Sequence, residues 1–238
     1  LRVAVVIPAR LSSKRFPRKV LARETGKYLV QHVYERVLGC PGVDRAIIAT
    51  DSTEVEEACR SFAADVVMTS EKHSSGTDRV AEVALQLPHE IVVNIQADEP
   101  LIEHQDLTAL VELLSEDVDM TTLAVRRSDP EGFGDPNIVK AVIGEDGSAL
   151  YFSRSPVPFA GESPAEWFHH LGMYGYRREF LLDYARMPPT ALEKRERLEQ
   201  LRALENGYKI RVGLSLHRHL GIDTEEEYRS FVQECLEP

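Results

Sequence analysis

The sequence predicts an α/β fold with a mixed, mostly parallel sheet between layers of helix, and three observations carry that expectation. Short β-branched runs alternate with amphipathic stretches through the first half of the chain, the order a parallel sheet with crossover helices requires. The first strand-like run, Val3–Ile7, is apolar and largely β-branched, as in a buried parallel strand. The first run, Val3–Ile7, stops at Pro8 and opens into a loop rich in Arg and Lys, and ligands of open α/β sheets bind at that carboxyl edge.

The elements follow in order. Leu29, Val30, Val33 and Val37 share one helical face, the period of an amphipathic helix. Ala46–Thr50 reads as a strand ending at Asp51, and Thr53-x-x-Glu56 resembles a capping box for the next helix. Asp65–Met68 is a short strand, and Val80, Val83, Ala84 and Leu87 mark a helix. Ile91–Ile95 is a strand running into Gln96-Ala97-Asp98-Glu99-Pro100, and Leu107, Leu110, Val111 and Leu114 mark a further helix before a strand at Met120–Val125. The rhythm then changes. Val139–Ile143 and Ala149–Phe152 flank Gly144-Glu145-Asp146-Gly147, a hairpin signal. Pro156, Pro158, Gly161 and Pro164 mark an irregular loop, and His169–Tyr176 suits a strand. A charged helix is expected over Leu192–Asn206, stopped by Gly207. Ile210–Leu214 is a late strand, and Thr224-x-x-Glu227 caps the last helix. This reading gives one domain over residues 1–238, with the hairpin and its loop, about residues 127–190, as an insertion.

Composition narrows the function classes. The chain has 238 residues, 43% of them hydrophobic and 28% charged, enough for one sizeable core. Its net charge of −11 argues against wholesale binding of nucleic acid or an anionic membrane. No apolar run approaches the roughly 20 residues of a membrane span, and the apolar N-terminal run is too short for a signal peptide. The cysteines are Cys40, Cys59 and Cys235. Cys59 and Cys235 follow helical apolar spacing and read as small core residues. An odd count with no paired motif suits a reducing cytoplasm.

The chemistry concentrates in a few motifs. Arg10, Lys14, Arg15, Arg18 and Lys19 crowd one loop of an acidic chain. Arg forks match phosphate oxygens and Lys meets them as a point charge, so a triphosphate is the expected guest. Asp98 and Glu99 follow a buried strand, and hard carboxylate oxygens suit Mg²⁺ shared with phosphate. Asp223 lies in a second acidic site that also reads as a helix cap. Arg79, in the first turn of a helix, opposes the dipole unless it has a partner, which points to a carboxylate. His169 and His170 face opposite sides of a strand, beside Tyr174 and Tyr176. Glu199 shares a helical face with Leu192 in the expected charged helix.

Together these blocks resemble a known family. Ile7-Pro8-Ala9-Arg10 with Ser13-x-Arg15-Phe16-Pro17-x-Lys19 is similar to the nucleotide-binding loop of sugar-activating cytidylyltransferases. Ser75–Arg79, Gln96–Pro100, Ala149–Arg154, His170–Arg177, Leu198–Arg202 and Gly221–Thr224 follow in order. The set resembles the 3-deoxy-manno-octulosonate (Kdo) cytidylyltransferase family. The resemblance implies a nucleotide-diphospho-sugar transferase fold, a three-layer α/β/α sandwich, as a homodimer built through the inserted lobe. It implies a cytoplasmic nucleotidyltransferase that forms CMP-Kdo and pyrophosphate from CTP and Kdo, with Mg²⁺, for lipopolysaccharide synthesis. By motif match, Ala9, Arg10, Arg15, Lys19, Ser75 and Gly76 would bind the nucleotide. Asp98 and Asp223 would hold Mg²⁺ and, with Lys19, serve catalysis. Arg79, Gln96, Arg154, His170, Tyr174, Glu199 and Gln200 would surround the sugar acid.

The chain departs from the family pattern at Arg18 and Ala97, where Gly is usual. Ala97 adds a methyl where unusual dihedrals are expected. Arg18 adds charge at the phosphates or points into solvent. The alternative readings are CMP activation of 8-amino-Kdo or another acidic sugar, and a non-catalytic nucleotide-binding regulator on the same fold. A glycosyltransferase would more often show a DxD motif after the strand at Ile91–Ile95.

Overall fold

The computed structural model describes residues 1–238 apart from 14, 74, 116, 162–165, 218–220 and 238. Lys14 and Pro164, singled out above, lie outside the described residues. The chain forms two compact units, one of Leu1–Thr108 with Arg218–Pro238 and one of Ala109–His217. The stretch 127–190 falls inside the second.

The first unit begins with β1 (Val3–Pro8), a single 3₁₀ turn at Lys19–Leu21, α1 (Leu29–Leu38), β2 (Arg45–Thr50), α2 (Thr53–Ser61), β3 (Val66–Met68), α3 (Gly76–Ala84), β4 (Ile91–Asn94) and α4 (His104–Glu112), which runs past Thr108. Its strands pair in parallel in the order β3-β2-β1-β4. Val5 faces Ala46 in one neighbour and Val93 in the other. All six residues of β1 and all four of β4 are buried. That explains the apolar run Val3–Ile7 and the near-apolar β4, whose Asn94 is buried too, because a central strand has no wet face. Leu29, Val30, Val33 and Val37 are buried on α1, as their spacing predicts.

The second unit holds β5 (Met120–Arg127), α5 (Pro130–Gly134), β6 (Lys140–Ile143), β7 (Ala149–Ser153), β8 (Trp167–Arg177), α6 (Arg178–Tyr184), α7 (Ala191–Glu196), α8 (Leu201–Glu205) and β9 (Ile210–Ser215). The expected hairpin is present, as β6 pairs with β7 antiparallel. β5 runs antiparallel to β8 and parallel to β9, so strand directions are mixed. In the first unit, α9 (Glu225–Leu236) ends the chain behind the Thr224–Glu227 capping box.

Four local expectations are corrected. Ser52, not Thr53, caps α2, with its side chain accepting from the Val55 N–H. The charged helix over Leu192–Asn206 is broken. Arg197 turns left-handed at φ 57° and separates α7 from α8. A buried Glu193–Arg202 ion pair, 2.8 Å from Oε2 to Nε, ties the two short helices together. Glu199 therefore sits in a turn and shares no helical face with Leu192. Cys235 is exposed, whereas Cys59 is buried as expected; Cys40 is buried as well. Finally, Ala97 is buried in ordinary backbone, and the left-handed conformation falls on Arg18, at φ 61°.

Candidate active site

The carboxyl ends of β1 and β4 open into a cleft of about 650 Å³ lined by Pro8, Arg10, Leu11, Ser12, Ser13, Arg15, Pro17, Lys19, Val20, Gln96, Ala97, Asp98 and Asp223. Every one of these residues belongs to the first unit. The size is that of a small-molecule site. Parallel strands place loop residues at one edge, and this is why Arg10 and Asp98, distant in sequence, share a wall.

Lys19 is the centre of the charge arrangement. It stands on the 3₁₀ turn, and its side chain is 11% exposed. Its ammonium donates to Asp98 Oδ2, to Asp223 Oδ1 at 2.9 Å and to the Ile222 carbonyl at 2.9 Å. Burial disfavours the charged form, but Asp98 and then Asp223 outweigh it, so the Lys19 pKa is raised. Arg15 closes the other side, with Nη2 2.6 Å from Asp223 Oδ2. Burial opposes ionisation of Asp223, yet Lys19 and Arg15 hold its carboxyl below the usual carboxylate range. The sequence left open whether Asp98 and Asp223 meet. They do, on one ammonium.

Glu99 behaves differently. Burial, then the Asp98 and Asp223 charges, push its carboxyl up to about 8. It packs toward Gly221, where an added Cβ would lie 3.0 Å from Oε1.

Asp98 and Asp223 suit a hard divalent cation. Both reach a common point, the position of Lys19 Nζ. Mg²⁺ takes one or two carboxylates and completes its shell with phosphate and water. Among the described residues no group of three or more His, Cys, Asp or Glu side chains is arranged to hold a metal alone. The donor set therefore fits a cation that arrives with a phosphate.

The remaining nucleotide candidates lie close by. Ala9 is buried, and its N–H donates to the Ala49 carbonyl at 2.8 Å. Ser75 caps α3 by accepting from the Asp78 N–H at 3.1 Å. Gly76 packs so that a Cβ there would lie 3.4 Å from Pro8 Cγ and 3.7 Å from Gln96 Oε1. Gln96 lines the cleft and donates to Asn94 Oδ1 at 3.2 Å. Ser12 and Ser13, missed as site residues in the sequence, also line it. Arg18 does not. It pairs with Glu54 on α2 and borders a different hollow with Leu21 and Tyr28.

Arg79 requires a correction. Its side chain is wholly buried, with Nη2 2.5 Å from Asp51 Oδ2 and Nη1 donating to Thr69 Oγ1. The carboxylate that its position called for is a protein carboxylate.

The other sugar candidates form a polar cluster in the second unit. His170 Nε2 lies 3.0 Å from Thr122 Oγ1, and its Nδ1 lies 3.5 Å from Gln200 Nε2. The ring packs on Phe152 and Tyr174 at 4.7 and 5.6 Å between centroids. Burial drives its pKa down to about 3, so the imidazole is neutral. Burial and then the Glu199 carboxylate raise the Tyr174 pKa well above its usual value. Arg154 points elsewhere. Its Nε donates to the Glu196 carbonyl at 3.0 Å and its Nη1 to the Pro136 carbonyl at 3.0 Å.

Comparisons with known proteins show the family. The family model described as cytidylyltransferase matches residues 4–210. A 3-deoxy-manno-octulosonate cytidylyltransferase of Solibacter usitatus is 51% identical over 230 residues, covering 95% of this chain and 91% of that relative. One of Geobacter sulfurreducens is 45% identical, covering 98% and 99%. A solved structure of CMP:2-keto-3-deoxy-manno-octonic acid synthetase complexed with CTP superposes with a TM-score of 0.92 at 37% identity, covering 98% of each chain. HddC from Yersinia pseudotuberculosis shares the fold, with a TM-score of 0.71 at 15% identity.

Proposed function

This chain belongs to the cytidylyltransferase family, and on that premise we propose that it transfers CMP from CTP to the anomeric hydroxyl of Kdo and releases pyrophosphate. The observation that carries the reading is the cleft itself: two arginines and a lysine line it with Asp98 and Asp223 at the edge of a parallel sheet. The similarities favour Kdo over 8-amino-Kdo, another acidic sugar or a non-catalytic regulator.

The reaction needs no protein nucleophile. The anomeric oxygen attacks the α-phosphorus, and the bond to the pyrophosphate oxygen breaks. The work left to the protein is positioning and charge neutralisation. Arg10, Arg15 and Lys19 hold the triphosphate, with the backbone of Ala9, Ser75 and Gly76 beside the nucleoside. Asp98 and Asp223 hold Mg²⁺, which when bound would neutralise charge developing on the phosphate oxygens. Gln96 stands on the cleft wall for the sugar acid, and the motif match adds His170, Tyr174, Glu199 and Gln200 for its hydroxyls. Tyr174, kept as a phenol, and Gln200 can donate hydrogen bonds to a hydroxyl.

The protein is proposed to act in the cytoplasm as a homodimer formed through the stretch 127–190, where Leu150 and Phe159 are exposed. Among the described residues no helix is long and apolar enough to cross a membrane. The reading is tested by incubating the protein with CTP, Kdo and MgCl₂ and identifying the product by mass spectrometry. CMP-Kdo with equimolar pyrophosphate supports it. Free CMP, or unchanged CTP, overturns it.

A further inference from the structure

All three ammonium hydrogens of Lys19 are committed, to Asp98 Oδ2, Asp223 Oδ1 and the Ile222 carbonyl, and an ammonium has only three donors. In this arrangement Lys19 has no hydrogen left for a phosphate. Asp223 is occupied at both oxygens, by Lys19 on Oδ1 and by Arg15 on Oδ2 at 2.6 Å. The carboxylates that suit a divalent cation are therefore already neutralised by the protein's own cations.

Two isolated carboxylates held on one point would repel, and burying either without a partner is costly. A resident cation removes both problems. Lys19 is well suited to the task, because an ammonium on a flexible stem can leave without moving the backbone. Arg15 is the more exposed of the two, with 58% of its side chain accessible.

We propose that Lys19 is an exchangeable resident cation: it keeps Asp98 and Asp223 together in the free protein, gives them up to the divalent metal, and swings its freed ammonium into the cleft to meet the triphosphate. The inference rests on the proposed role of the two carboxylates as metal ligands. It adds a competition that this role alone does not contain. Lys19 opposes metal binding in the absence of nucleotide and favours it once a phosphate is there to receive the ammonium.

The competition is measurable without turnover. Mn²⁺ binding is followed by electron paramagnetic resonance in the absence of nucleotide. Lys19→Met binds Mn²⁺ about tenfold or more tighter than the parent, since an opposite charge at hydrogen-bonding distance lowers a carboxylate's proton affinity by about 1–3 log units and competes with a metal cation for the same oxygens. Adding Asp98→Asn to that variant removes the gain. Equal or weaker binding by a folded Lys19→Met overturns the proposal. The unmutated protein gives a second reading that does not depend on the variant folding. Acetylation of Lys19 by acetic anhydride, followed by peptide mass mapping, is slow in the free protein and accelerates on addition of Mg²⁺ alone. An unchanged or slower rate, with Mn²⁺ seen to bind, overturns it equally. Failure of the functional reading looks different: no CMP-Kdo forms, while Mn²⁺ still displaces Lys19.

Discussion

Arg18 holds a left-handed backbone, φ 61° and ψ 20°, while its Nη1 donates to Glu54 Oε2 at 2.9 Å. The residue with the strained backbone is thus the one that ties the phosphate loop to α2. It also caps the 3₁₀ turn that presents Lys19. A side chain in this region costs roughly 1–2 kcal/mol. The half-exposed pair with Glu54 returns only about 0–1 kcal/mol.

The stability of position 18 follows from that balance. Arg18→Gly relieves the backbone and loses the pair, whereas Arg18→Ala loses the pair and keeps the strain. Arg18→Gly is expected to be the more stable of the two by about 1 kcal/mol, read from urea midpoints. An alanine variant at least as stable as the glycine variant contradicts the strain assignment.

The cleft assigns separate roles to charge. Asp98→Asn should lower turnover by about 10²-fold or more while weakening CTP binding far less, because charge neutralisation is worth most in the transition state. Arg15→Ala should impair CTP use more than Arg18→Ala, since Arg15 lines the cleft and Arg18 faces Glu54. Steady-state kinetics with CTP varied settles both. Arg18→Ala proving the worse of the two would place the phosphates elsewhere.

Arg79 makes a prediction about folding. Arg79 is wholly buried and its partner Asp51 is 22% exposed, so breaking the pair from the arginine side approaches the roughly 3–5 kcal/mol of a buried pair. Arg79→Ala should fall in that range by chemical denaturation, and Asp51→Ala should be destabilised in the same direction. A stable Arg79→Ala with a raised Kdo KM would restore the sugar contact expected from the sequence.

His170 gives a pH dependence with a definite sign. Its pKa is about 3 in the folded chain against an ordinary value of 6.5, so between these values the unfolded chain binds the extra proton. Its contribution to stability is therefore present above pH 6.5 and is lost as pH falls toward 3, at up to about 1.4 kcal/mol per pH unit. His170→Gln should flatten the slope of unfolding free energy below pH 6.5. An identical slope in the variant would mean that the imidazole is solvated.

Much of this was readable from the residues, because burial on both faces leaves apolar runs such as Val3–Ile7 and Ile91–Val93. The basic loop stood out against an acidic chain. What was not readable depends on contacts distant in sequence. Arg79 looked like a ligand-binding residue because its partner, Asp51, lies on another loop. The meeting of Asp98 and Asp223 on Lys19 needs the tertiary fold. Arg197 broke an expected helix because a buried Leu198 and the Glu193–Arg202 pair outweigh helix propensity. The unusual backbone was expected at Ala97 and occurs at Arg18, since composition does not say which residue of a loop turns left-handed.

The central claim is tested most directly by pyrophosphate release measured with CTP, UTP, ATP and GTP, each crossed with Kdo, 8-amino-Kdo and sialic acid at fixed Mg²⁺. The account predicts the highest kcat/KM for CTP with Kdo, and loss of that activity in Asp98→Asn. A higher kcat/KM for another nucleotide or another sugar, or no release with any pair, would contradict it.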